Sequence, residues 1–108
     1  MSINEANKID FLAFTNDGQG VHLVITDHHD WTTDEQAHLF LLQEKINAYL
    51  AFIESGEIYK NSPECEDKVI TIKISFKHPP TDHACDFLKK AEQVINKINI
   101  NLDYRVGE

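Results

Sequence analysis

The sequence predicts a two-layer α/β sandwich, with a mixed four-stranded sheet carrying two helices on one face, in the order β-β-α-β-α-β. Three stretches carry that prediction. Residues Lys68–Lys77 alternate cleanly, with Ile70, Ile72, Ile74 and Phe76 on one side and Thr71, Lys73, Ser75 and Lys77 on the other, as in a strand with one dry face. From Thr32 onward, Leu39, Leu42, Ile46, Tyr49, Leu50 and Ile53 recur at helical spacing and form one stripe. From Thr81 to about Lys97, Ala84, Phe87, Leu88, Ala91, Val94, Ile95 and Ile98 form another. A sheet with one dry face and two helices with apolar stripes bury each other as two layers, α+β or α/β in class.

The elements follow in chain order. Ile9–Thr15 is apolar and ends in Asn16-Asp17-Gly18, residues that accept the positive φ of a tight turn. Val21–Thr26 alternates, so the two segments predict an antiparallel hairpin. A polar loop, Asp27–Trp31, opens the long helix. Thr32 with Glu35 fits a capping box, Asp34 and Glu35 suit the positive end of the helix dipole, and Gly56 is placed to end the helix. Tyr59–Asp67 is polar, contains Pro63 and reads as a loop. His78-Pro79-Pro80 stops the third strand because proline offers no N–H to the ladder. Thr81 caps the second helix, and Ile100, Leu102, Tyr104 and Val106 alternate as a fourth strand. The third strand, second helix and fourth strand should form a right-handed parallel crossover.

At 108 residues the chain makes one domain, residues 1–108. Its formal charge of −8 repels phosphate backbones and anionic lipid, which sets nucleic acid and membranes aside as partners; an acidic surface could steer a basic partner, or simply keep a small protein soluble. No apolar run approaches the roughly 18 residues of a membrane span. The opening MSINEANKID lacks a secretory apolar core, so the expectation is a cytoplasmic protein. Cys65 and Cys85 show no paired spacing and read as free thiols.

Three constellations could carry chemistry. The first is the loop Asp27-His28-His29-Asp30-Trp31 with His38 downstream, at a strand-to-helix junction where α/β folds place ligands. The binding candidates are Asp27, His28, Asp30, Trp31 and His38. Imidazole and carboxylate together suit a divalent metal, which makes His28, His29, Asp30 and His38 weak metal candidates. With the helix starting near Thr32, His38 stands about two turns in, ~10 Å along the axis, so a joint site needs the loop to fold back. The simpler reading has the aspartates satisfying backbone amides and Trp31 plugging the core. The letters Asp-His-His also occur in a class of phosphoesterases, but those enzymes need further motifs on a longer chain. The second constellation, His78, His83 and Cys85, matches no closed four-ligand spacing. The third, Glu54, Glu57 and Tyr59, has carboxylates without a nucleophile, and reads as a solvated helix end. No GxSxG, P-loop or HExxH occurs in the chain, and no cofactor is expected.

The stretch from Asp27 to Tyr59 resembles a family of small bacterial proteins catalogued as a domain of unknown function. In that family a strand ends in Asp-His, followed by Asp-Trp and a helix similar to HLxLLQEKxNxYLxFIESGEIY. Here those positions are Asp27, His28, Asp30, Trp31, His38, Leu39, Leu41, Leu42, Gln43, Glu44, Lys45, Asn47, Tyr49, Leu50 and Phe52–Tyr59. The likeness extends through the strand VITIKISFKHPP and the helix after it. It implies a free-standing bacterial domain and brings no activity, cofactor or partner with it.

The functional expectation is a non-enzymatic protein–protein interaction module, immunity-type or regulatory. The alternatives are a metal-binding or hydrolytic enzyme using Asp27–His38, and a structural homodimer. Besides its main stripe the long helix has a second strip, Ala37, Leu41, Ala48 and Phe52, with His38 and Lys45 between the two. In the first strand Ile9 and Phe11 face one side and Leu12 and Phe14 the other. The interface candidates are therefore Leu41, Lys45, Phe52, Leu12 and Phe14, on the argument that exposed apolar patches mark partner sites.

Overall fold

Residues 11–107 are described in the computed structural model. Strands β1 (Phe11–Phe14) and β2 (Gly20–Asp27) form the expected antiparallel hairpin, with Phe14 opposite Val21. Asp17 shapes the turn, its carboxylate accepting the Gln19 N–H at 2.9 Å and the Thr15 hydroxyl at 2.5 Å. A side chain at Gly20 would crowd the hairpin, since a Cβ there would stand 3.2 Å from Thr15 Cγ2 and 3.3 Å from the Val69 carbonyl oxygen. Ile9 lies outside the described residues.

From β2 the chain enters helix α1 (Glu35–Glu54), a short helix α2 (Glu57–Asn61), a 3₁₀ turn (Pro63–Cys65) and strand β3 (Val69–Phe76). Helix α3 (Asp82–Asn96) and strand β4 (Ile100–Val106) complete the chain. The strand order is β1-β2-β3-β4, and both β2–β3 and β3–β4 pairs are parallel. Parallel crossovers are right-handed, and two that step the same way across a sheet leave both helices on one face. Accordingly α1 and α3 share one core with the dry side of the sheet and run side by side over it.

The register sets out the helix-covered face of the sheet in rows, buried except at Tyr104 and Val106 on the edge strand. Val21, Ile70 and Ile100 form one row, Leu23, Ile72 and Leu102 the next, Ile25, Ile74 and Tyr104 the third, and Asp27, Phe76 and Val106 the last. Leu42, Ile46, Ile53, Ala84, Leu88 and Ile95 close over them from the helices. Tyr49, also buried, donates its hydroxyl to the Val24 carbonyl at 2.8 Å, fixing α1 to the sheet backbone.

Several sequence expectations are corrected. Helix α1 is capped not by Thr32 but by Asp34, whose carboxylate accepts the Ala37 N–H at 3.1 Å; Thr32 and Thr33 belong to the preceding loop. The expected loop after Gly56 contains ordered turns instead. Gly56 takes the left-handed conformation (φ +82°), and the chain winds once more so that Ile58 and then Cys65 enter the core. Five residues are too few to show a helical period in sequence. In α3, Phe87 and Ala91 are half-buried and Val94 is exposed, so that stripe is narrower than its spacing implies. The Thr81 cap holds, accepting the Ala84 N–H at 3.1 Å.

Candidate functional site

Asp27 closes β2, and strand alternation turns its side chain to the helix-covered side, where it is 1% exposed. A buried carboxylate needs partners. Its Oδ1 accepts the His29 N–H at 3.0 Å, and its Oδ2 stands 2.5 Å from His38 Nε2. The His38 ring, 3% exposed as a residue, has Nδ1 3.0 Å from the Asp30 carbonyl oxygen. A carbonyl only accepts, so Nδ1 carries a hydrogen and donates, while the proton on the other side lies between Nε2 and the Asp27 carboxylate.

Trp31 lies flat on that imidazole, with ring centroids 3.6 Å apart and planes 20° from parallel, and His29 meets it edge-on at 5.5 Å. The indole N–H donates to the His78 carbonyl at 3.3 Å, and the Trp31 ring packs near Phe76. The constellation thus ties the end of β2, the start of α1 and the segment after β3 together. A second tie lies beside it. Glu35, in the first turn of α1, accepts from the Thr81 hydroxyl and approaches His83 Nδ1 at 3.4 Å, joining the starts of α1 and α3. The Thr81 hydroxyl, and after it the His83 ring, hold the Glu35 carboxyl below its usual range. Asp30 is lowered as well, first by the Thr33 N–H that its Oδ1 accepts at 3.0 Å and then by the Thr33 side chain.

The loop and His38 come together because α1 begins at Glu35. The His38 N–H makes the first helical hydrogen bond, to the Asp34 carbonyl at 3.0 Å, so His38 is in the first turn rather than two turns in. That correction also weakens the metal reading. His38 Nδ1 donates and Nε2 faces Asp27, which leaves no ring lone pair for an ion. Among the described residues no group of three or more His, Cys, Asp and Glu side chains is placed to hold one metal.

The family of unknown function DUF6572 matches residues 1–108. The chain belongs to that family. No curated protein and no solved structure matches it. In this DUF6572 domain the residues of the Asp-His and Asp-Trp pairs divide: Asp27 and Trp31 turn inward to His38, while His28 and Asp30 remain exposed at the rim.

The other candidates are scattered. His78 contributes its backbone carbonyl to Trp31, His83 is exposed, and Cys85 is half-buried with Sγ 4.0 Å from the Pro80 carbonyl. Both cysteines are free, and burial pushes the Cys65 thiol upward. Glu54 and Glu57 are solvent-exposed carboxylates at the far end of α1 and the start of α2. Of the interface candidates, Lys45 is corrected outright: it is 0% exposed, with Nζ 5.6 Å from the Tyr49 ring centre, and no partner surface reaches it. Leu41, Phe52 and Leu12 are half-buried against the core, and Phe14 is exposed beside Lys68.

Two further features lie outside the residues that the sequence singles out. Phe40 on α1 and Val94 on α3 are each 61% exposed. Phe40, Gln43, Asn47 and Leu50 follow at i, i+3, i+7 and i+10, one row of α1. Across a groove from that row stand Phe87, Ala91 and Val94 of α3. The second feature is a cleft of about 540 Å³ on the far side of the sheet, at the C-terminal ends of β2 and β3. Its side chains Ser75 and Lys77 were legible as the outward set of the third strand, but their neighbours appear only once the strand order is known.

Proposed function

We propose that the protein is a non-catalytic binding domain that docks a basic protein partner along the α1–α3 groove, in a regulatory or immunity-type role. The observation that carries this reading is Val94, 61% exposed in a groove it lines with Ile46, Leu50 and Ile95, together with Phe40, equally exposed on α1 one turn before the groove residue Gln43. Large apolar side chains left in water beside a groove are the usual anchors of a helix-in-groove or loop-in-groove contact. Exposed Glu44, Glu54, Asp82, Asp86 and Glu92 on the same two helices outnumber the exposed Lys89 and Lys90. With a net charge of −8, two copies of this chain repel each other, whereas a basic partner is attracted. The Asp27–His38 pair supports the non-catalytic side of the reading, because its polar atoms face one another and the backbone inside the fold. Free thiols suit a reducing bacterial cytoplasm, where we place the domain. Among the described residues no helix is long and apolar enough to cross a membrane.

The test is photo-crosslinking in cells of the source organism, with a benzophenone side chain at position 40 and, as control, at position 101 on the uncovered sheet face. The expected result is one discrete adduct from position 40, none from 101, and a captured basic protein whose affinity for the purified chain falls at least about tenfold in Phe40→Glu and Val94→Glu. An adduct between two copies of the chain would replace this reading with the homodimer. An adduct from position 101 alone, or no adduct, would reject the groove.

A further inference from the structure

Two rows of residues cross the uncovered face of the sheet at the C-terminal ends of its parallel strands. In the first, Thr26 of β2, Ser75 of β3 and Arg105 of β4 are partners in register. The second continues beyond the strands. The Lys77 N–H donates to the Asp27 carbonyl and the Gly107 N–H to the Phe76 carbonyl, each at 2.9 Å. These bonds extend the ladder by one step, so alternation places His28 beyond Thr26 and Lys77 beyond Ser75 on the same face. Thr26, His28, Ser75, Lys77 and Gly107 line the cleft of about 540 Å³, with Arg105 at the neighbouring register position. Asp27 lines it too, but its carboxylate is directed to the covered side and is fully buried there.

Charge sets this end of the face apart. One row further in, Lys73 has Asp103 as its register partner. At the cleft no acidic residue occupies the corresponding positions, and neither Lys77 nor Arg105 makes an ion pair among the described residues. A chain with net charge −8 therefore places Lys77, an imidazole and two hydroxyl side chains around one opening, with Arg105 one strand away as the register partner of Ser75. Parallel α/β sheets bind ligands outside the carboxyl ends of their strands, and a cleft of this size suits a small molecule.

We infer that this cleft binds the phosphate group of a phosphomonoester. Lys77 and Arg105 match the dianion in charge, Ser75 offers a hydroxyl for its oxygens, and His28 stands at the rim. A monocarboxylate would leave one of the two cations unanswered. The site is separate from the α1–α3 groove, so loss of either leaves the other open to test.

The experiment is a titration of the purified chain with inorganic phosphate at fixed ionic strength, with chloride as control, followed by amide NMR shifts. Saturable shifts at Thr26, Ser75, Lys77 and Gly107 are expected. Lys77→Gln and Arg105→Gln should each weaken binding about tenfold or more, and Lys89→Gln, an equal charge change on α3, should leave it within about twofold. Adenosine 5′-monophosphate and a phosphoserine tripeptide then tell a small-molecule source from a peptide one, by which of them binds tighter than the free ion. No saturation up to about 20 mM phosphate, a contact too weak to fill such a cleft, would overturn the site. Equal losses in Lys89→Gln and Lys77→Gln would overturn it also, because the binding would then reflect bulk charge.

Discussion

Asp27 and His28 are neighbours in sequence and finish on opposite sides of the same sheet. Asp27 turns under the helices, where burial obliges every polar atom to find a partner, and its carboxylate takes the His29 N–H and the His38 ring. His28 turns to the uncovered side and stays exposed over a cleft lined with Thr26, Ser75 and Lys77. One step along a strand thus separates a side chain held inside the fold from one left in solvent. Residue type does not distinguish them, since histidines and hydroxyls occur on both sides. Burial does. Among the described residues no buried side-chain nitrogen or oxygen is left without a hydrogen bond.

The comparison is broken most forcefully at the pair itself. Asp27→Ala or His38→Ala leaves a buried polar partner stranded, and should cost about 3–5 kcal/mol, whereas His28→Ala should stay within about 0.5 kcal/mol. Urea melts of the three variants check this, and a large loss in His28→Ala would mean that the uncovered side also carries structure. The next effect is in the core beneath α1. Leu42→Ala and Ile46→Ala should each lose about 2–5 kcal/mol by transfer and cavity terms, and a loss below about 1 kcal/mol would place those side chains at the surface.

The helix start offers a finer contrast. Asp34→Ala should lose about 1 kcal/mol as a removed cap, while Thr32→Ala should change the denaturation midpoint little. The reverse order would restore the start of the helix to Thr32. The smallest effect is a pH dependence. Thr81 and His83 hold Glu35 below its usual range, and Thr33 does the same to Asp30. A carboxyl lowered on folding stabilises the fold above its unfolded value, near 4, and loses that contribution as pH falls through the folded value. The denaturation midpoint should therefore drop as pH falls below about 4, and Glu35→Gln should flatten part of the drop. An unchanged slope in Glu35→Gln would detach the tie between the two helices from stability.

Much of this architecture is legible in the sequence because its elements are long and strongly patterned. The alternation of Ile70 to Phe76 and the stripe through Leu42 and Ile46 each fit a single secondary structure. The cluster at Asp27 was harder to read, for a definite reason. Two cap signals compete within three residues, Thr32 with Glu35 and Asp34 alone, and choosing the first places His38 about half a turn too deep. The winning cap frees Glu35 to reach Thr81, a contact that no local pattern announces. The uncovered face is hidden for another reason. Ser75 and Arg105 become neighbours only when β3 and β4 pair in parallel and in register, which depends on strand order rather than on either strand. Phe40 falls off the main stripe, and a residue outside a stripe reads as solvent-facing whether or not a groove lies next to it.

Asp27 and His38 act as one structural unit, and a double-mutant cycle measures that directly. Asp27→Ala, His38→Ala and the double variant are unfolded in urea under identical conditions. The expected result is strong non-additivity: the double variant loses clearly less than the sum of the two single losses, with a coupling energy of about 1–3 kcal/mol. Losses that simply add would contradict the account, because the two side chains would then be stabilising the fold independently.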